Sequence, residues 1–410
     1  MVTGSLVART RRLDADVDLL AFAGRDGVLF ERGRAGLAGR GCAARLPWPG
    51  GDPAAAAESV AAALAGIEAD DEVGLPGCGA VAFGALPFAP GAPSELVVPA
   101  VVAGRAEDGT RWVTTIGTSD DDPTGLPLAG VGEPPPPVHR FTVSAQRDPE
   151  DWCALVERAT KAMAEGAFHK VVLARQIDVS ADRPIDRLSV LERLRSTYPG
   201  CHIVSVDGFV AASPELLVSV TGDIVRSHPM AGTAPRGGDP TTDQRLAASL
   251  LASTKDRQEH QITIDMVHDT LLPWCSYLDY EAEPSVVAVA NVQHLATLVE
   301  GRLSQPAPSV LELVAALHPT PAVAGWPRDQ AVAWIAEHEG FDRRRYAGTA
   351  GWVDAAGNGT WAVSVRCAEI EGPQARVWAG NGIVPDSDPP TELAETRDKL
   401  QALLSAIVRP

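Results

Sequence analysis

The chain has 410 residues, with 53 acidic against 35 basic side chains and a formal net charge of −18. One hydrophobic core stops growing at about 250–300 residues, so two lobes or one large duplicated fold are expected, and 45% hydrophobic against 21% charged residues excludes wholesale disorder. The acid excess excludes nucleic acid and anionic membrane as partners, since both select clustered Lys and Arg, and leaves room for a small anion held by local cations or a metal. The first residues lack the charge-then-apolar order of a signal peptide, and no window approaches about 18 uninterrupted apolar residues, so a cytoplasmic protein is expected. Residues 1–117 alternate short apolar runs with Gly and Pro and predict strands and turns, with one alanine-rich helix near 54–67. Residues 119–122, Gly132-Glu133 and the prolines 134–137 form the main linker, because proline neither pairs in a sheet nor continues a helix. Beyond it come a helix at 149–165, strands at 170–175, 202–211 and 215–220, and one long helix over 241–275. Two more strands, at 351–370 and 374–380, precede a final helix at 389–407. Strands grouped between helices, without βαβ alternation, predict an α+β class with antiparallel sheets. The six cysteines are scattered, with no Cys-x-x-Cys pair, and read as free thiols.

The final helix carries the densest signal. Asp388 is its N-cap, with Pro389 and Pro390 tolerated in the first turn. Glu392, Glu395 and Lys399 then fall at i, i+3 and i+7 on one face. A solvated Glu395–Lys399 salt bridge is one reading; the glycine loop 379–384 just before it, whose amides could approach an anion, supports a functional one. Asp256 and Glu259 repeat the i, i+3 spacing on the long helix. Glu259 shares a face with Ile262 and Met266, where a carboxylate must be neutralised, hydrogen-bonded or metal-bound. Two such oxygen-only pairs, brought together, suit Mg²⁺, whereas zinc lacks its usual His and Cys ligands. His260 and His268 read as structural. Lys170 opens an apolar strand, where it is either a desolvated base or the guard of a sheet edge. Glu215 heads another apolar run, where burial would raise its pKa and suit it to general-acid work. Arg366 shares one face of an alternating strand with Ala362 and Ser364, leaving room for a planar carboxylate or an internal salt bridge. The arginine run at 343–345 reads as solvated surface.

Together these segments resemble the chorismate-utilising enzymes: anthranilate, aminodeoxychorismate, salicylate and isochorismate synthases. The resemblance runs from about Trp152 to Leu400. It rests on Lys170-Val-Val-Leu-Ala-Arg175, Ser213-Pro-Glu-Leu-Leu217, Ala231-Gly-Thr233, Lys255-Asp-Arg-Gln-Glu-His260, Asn291-Val-Gln-His-Leu295, His318-Pro-Thr-Pro-Ala-Val323, Arg366-Cys367, and Gly382-Ile-Val384 with Glu392, Glu395, Thr396 and Lys399. Residues 1–140 look like the family's variable N-terminal half and 141–410 like its chorismate-binding catalytic region, intertwined as one structural domain. The implied fold is the aminodeoxychorismate (ADC) synthase-like four-layer α/β/β/α arrangement, internally duplicated, in a monomer.

The segment from His318 to Val323 looks like the isochorismate synthase form. Ala231 stands where aminodeoxychorismate synthases place a nucleophilic lysine. The chain also lacks a Cys–His amidotransferase arrangement, so no glutamine amidotransferase subunit is expected and water is the implied nucleophile. The resemblance implies an Mg²⁺-dependent isomerase that adds water at C2 of chorismate and loses the C4 hydroxyl, feeding menaquinone or siderophore synthesis. Salicylate synthase, which adds pyruvate elimination, is the alternative. Lys170 would deprotonate the water and Glu215 would protonate the departing hydroxyl. Glu259 and Glu395 would bind Mg²⁺, with Asp256 and Glu392 acting through metal-bound waters. Arg366, Lys399 and the Gly382 amide would hold the enolpyruvyl carboxylate, with Gly232, Thr233, His294, Ala322 and Tyr346 lining the pocket. Asn381, Met230 and Thr349 depart from the family's usual small residue, leucine and proline.

Overall fold

The computed structural model describes residues 6–118, 133–289 and 292–408. Its strands form a thirteen-stranded, a nine-stranded and a three-stranded sheet. Pairing is predominantly antiparallel, and Val7–Arg12 runs parallel to Glu68–Asp71. In the largest sheet, strands from residues 1–117 and strands from beyond 140 form two blocks, which meet where Val28–Arg32 pairs with His202–Val206. The nine-stranded sheet has the same division, with Val81–Leu86 against Thr349–Asp354 at its seam.

Period-two alternation builds the layers. Phe30, Leu37 and Ala211 of the largest sheet enter a core shared with Phe83, Leu96 and Trp361 of the nine-stranded sheet. Their neighbours Leu29, Ala38, Val210 and Ala212 face the other way, onto helices Leu19–Ala23, Arg187–Thr197 and Pro389–Ile407. Helices Pro53–Ala65 and Val310–Leu317 pack on the nine-stranded sheet. The order is helix, sheet, sheet, helix, the α+β arrangement expected. Among the described residues no helix is long and apolar enough to cross a membrane, and the six cysteines are free.

Several expectations need correction. The single helix at 241–275 is two, Pro240–Ala252 and Thr254–Leu271, because Ser253 turns extended and its hydroxyl caps the Asp256 amide. The strand at 202–211 is a hairpin, His202–Val206 and Phe209–Ser213, turning through Asp207 and Gly208 at φ 44° and 80°; Asp-Gly with both φ positive is the turn whose twist matches paired strands. The stretch 351–370 holds three strands, and Arg366 follows the second of them at φ 48° rather than continuing its alternation. The strand Lys170–Ala181 is no sheet edge, since Gln374–Ile383 flanks one side and Phe141–Ala145 and Gly325–Trp326 the other. Arg343 is not solvated surface: it is 2% exposed, in a bidentate pair with Glu339, and only Arg344 of the run is substantially open. Prolines 134–137 carry no regular structure; residues 119–122 and Gly132 of the expected linker, and Asn291, lie outside the described residues.

Candidate active site

Strands, helices and loops of the later block converge on one cavity of about 120 Å³, lined by Lys170, Glu215, Gly232, Thr233, Glu259, His294, Ala322, Tyr346, Arg366, Gly382 and Lys399. Of the residues singled out in the sequence, Asp256, Glu392 and Glu395 are not in its wall.

Lys170, 3% exposed, donates from Nζ to Glu259 Oε1 at 2.7 Å. Burial opposes the charge on Glu259, but the Lys170 ammonium outweighs it and holds the carboxyl below its ordinary range. Gly382 faces this pair across the sheet: a Cβ there would stand 2.8 Å from Lys170 Cε and 3.2 Å from Glu259 Oε1. A side chain at 382 would therefore displace the ion pair. On the helix carrying Glu259 the buried stripe is His260, Thr263, Ile264, Val267 and Leu271. Ile262 and Met266 only flank it, which leaves Glu259 at the margin facing the cavity.

Glu215 sits between strands Phe209–Ser213 and Leu216–Thr221. The Ser213 hydroxyl donates to the Val363 carbonyl at 2.6 Å, and the Val363 amide donates to the Glu215 carbonyl at 3.0 Å, so the backbone at 215 is fixed. Glu215 as a whole is 6% exposed. Burial pushes the pKa up to about 7 against the opposing pull of the Met230 amide, Lys170 and Arg366.

Arg366 donates to His294 Nε2 at 2.8 Å. A guanidinium only donates, so Nε2 must accept, and the histidine proton sits on Nδ1, which donates to the Gly232 carbonyl at 3.1 Å. Burial, aided by Arg366 and Lys399, holds His294 well below its ordinary pKa and so neutral. Gly232 has φ 71°, and a Cβ there would meet Asp256 Cβ at 3.2 Å, so Asp256 abuts the backbone of the cavity wall. Tyr346 stacks on Trp378, with centroids 6.1 Å apart.

Lys399 reaches back from the final helix and donates to the Gly380 carbonyl (3.0 Å), Asn381 Oδ1 (2.9 Å) and Glu395 Oε1 (2.8 Å). The Glu395–Lys399 salt bridge thus forms, and at the site rather than in open solvent. Glu392 accepts from the Ser387 hydroxyl and from Asn381 Nδ2, and burial raises its pKa.

Among the described residues no three His, Cys, Asp or Glu side chains gather as a preformed metal cage. Glu259 and Glu395 are instead each held by a lysine. Oxygen-only donors in this number fit a hard divalent cation that completes its shell with water and substrate oxygens, and do not fit a structural zinc.

The sequence reading gave no role to Val172, Pro214, Val323, Val365 and Trp378 in the wall, whereas Ala379 and Gly380 belong to the glycine loop it singled out. A signal existed for Trp378: alternation along the strand puts it on one face with Gly380 and Gly382.

Residues 128–408 match the family described as chorismate binding enzyme. The chain is 39% identical over 280 residues to isochorismate synthase DhbC of Bacillus subtilis, across 66% of this chain and 70% of that protein. The solved structure of MenF, the menaquinone-specific isochorismate synthase of Escherichia coli, aligns at 26% identity with a TM-score of 0.82, over 99% of this chain and 95% of its own. Anthranilate synthase component I of Streptococcus pneumoniae, at 23% identity and a TM-score of 0.65 over 82% of each chain, shares the fold.

Proposed function

The chain belongs to the chorismate-binding enzyme family, and from that premise we infer that it is an isochorismate synthase, an isomerase acting on chorismate. The observation that carries the chemistry is Glu215, a buried carboxyl with a pKa near 7, sharing one cavity with Lys170, Arg366 and Lys399. Such a carboxyl is half protonated at neutral pH and can donate a proton without first acquiring one. In this reading Lys170, acting as the neutral amine after its ammonium proton has left to solvent, takes a proton from the water that bonds to C2, the ring double bonds shift, and the C4–O bond breaks as Glu215 delivers its proton to the leaving hydroxyl. One water enters and one leaves, so the product is an isomer. Arg366, oriented by neutral His294, and Lys399 with the Gly382 amide hold the enolpyruvyl carboxylate. Tyr346, Thr233 and Ala322 shape the wall.

A divalent cation, which we take to be Mg²⁺, would be held by Glu259 and Glu395, with Asp256 and Glu392 behind them, and would supply charge stabilisation at the ring carboxylate. Because water is the nucleophile, no amidotransferase subunit is needed, and we take the enzyme to act as a cytoplasmic monomer. Its product enters menaquinone or siderophore formation. Residues 1–140 and 141–410 are two parts of one domain, a division supported by sheets that take strands from both.

The test is purified protein with chorismate and Mg²⁺, products separated by chromatography. Isochorismate supports the reading; salicylate plus pyruvate replaces it with a salicylate synthase; unchanged chorismate sinks it.

A further inference from the structure

Between Gly380 and Gly382, which face the cavity, strand alternation turns the Asn381 side chain the other way, toward the final helix. Asn381 is 2% exposed and its carboxamide is fully engaged. Nδ2 donates to the Glu392 carbonyl at 2.9 Å and to Glu392 Oε2 at 3.0 Å, while Oδ1 accepts from Lys399 Nζ at 2.9 Å. A neutral amide both donates and accepts, so it can stand between a carboxylate and an ammonium and satisfy both without adding charge. Of the three acceptors on Lys399, Gly380 O and Asn381 Oδ1 belong to the strand, whereas Glu395 lies outside the wall with 34% of its side chain open, so the proton Glu395 takes is the one an arriving carboxylate can claim. Asn381 therefore fixes one of the three directions that aim this cation, and it engages Glu392 outside the cavity wall.

We propose that Asn381 is a positioning residue that aims the Lys399 ammonium at the point where the substrate carboxylate arrives. The proposal rests on the isochorismate synthase reading, in which Lys399 holds that carboxylate. A contact of this kind acts on substrate capture and not on bond breaking, so its signature is in KM.

The experiment compares wild type, Asn381→Ala, Lys399→Met and the double variant, measuring kcat and KM for chorismate conversion to isochorismate and Tm for each. Asn381→Ser is made in parallel in case the alanine variant does not fold. Asn381→Ala is expected to raise KM about tenfold, with kcat within about threefold, as removal of a hydrogen bond to a charged group at a binding contact should. In the Lys399→Met background the same change is expected to leave KM within about twofold, because the two act as one unit. An unchanged KM, a loss confined to kcat or Tm, or an equal KM increase in both backgrounds overturns the proposal. Wild type that leaves chorismate unchanged removes the functional premise itself, whereas a wild type that turns over beside an Asn381→Ala of unchanged KM removes this proposal alone.

Discussion

Two buried ion pairs on neighbouring elements are built from the same chemistry and do different work. In the first, Arg343 donates to both oxygens of Glu339 and to the carbonyls of Val172 and Val323, while Glu339 Oε1 also accepts from the Ala174 amide. The guanidinium lies over the Phe88 ring, 4.3 Å from its centroid. In the second, Lys170 and Glu259 share one hydrogen bond at the wall of a cavity, and Glu259 keeps 18% of its side chain open. The first pair engages four of the guanidinium's five N–H groups and lines no part of the cavity, so it holds the strand bearing Lys170 and the loop bearing Ala322 in place and meets no ligand. The second has spare donors and acceptors facing an opening. A place in the cavity wall, rather than burial or charge, separates the reactive pair from the structural one.

Breaking the two pairs should therefore give opposite signatures. Lys170→Ala, which breaks the second pair, and Glu215→Gln, which leaves it intact beside the same cavity, are each expected to lower kcat by about 10²–10⁴-fold, as loss of a general acid or base does, with Tm near wild type for Glu215→Gln. Full turnover in either variant would remove the acid–base assignment. Arg343→Met leaves Glu339 buried without its partner and should cost about 3–5 kcal/mol in chemical denaturation. A loss of turnover in Arg343→Met without a loss of stability would erase the distinction drawn here.

The pH dependence sharpens the reactive side. Burial raises Glu215 from 4.5 to about 7, so it stays protonated below about 7 and ionises above. The Glu215 limb of the kcat/KM profile of free enzyme should fall as pH rises through about 7. The stability from burying the neutral carboxyl has the same sign: fully present below pH 4.5, and lost as pH rises through about 7. Glu215→Gln should flatten that stability change, and a change that persists in the variant must come from another group. The smallest effect belongs to Arg344, 45% exposed and paired with Glu369; Arg344→Ala should shift stability by about 1 kcal/mol or less.

Much of this could be read from the chain, and the failures share a cause. The final helix, its Asp388 cap and the strand at Lys170 follow from local capping and periodicity, and the structure has them. The break at Ser253 was also local, but a continuous helical pattern on both sides hid it. Arg343 and Arg366 went astray because their surroundings come from segments distant in sequence. Three adjacent arginines look solvated until Glu339, Val172 and Val323 close around the first of them. Alternation cannot place Arg366 once the backbone turns to positive φ. Spacing paired Asp256 with Glu259 and Glu392 with Glu395, and of these four only Glu259 lines the cavity: Asp256 lies against Gly232, and Glu392 bonds Ser387 and Asn381.

The seams running through both large sheets make the chain resemble a heterodimer whose subunits happen to be covalently joined. Every residue of the cavity wall comes from the later block, but that block alone would present His202–Val206 and Thr349–Asp354 as raw strand edges, the kind of surface that templates aggregation. Trimming the molecule to its catalytic portion would thus give a sticky fragment rather than a minimal enzyme. Severing the backbone among the exposed prolines 134–137 should instead give two pieces able to find each other again through both sheets at once.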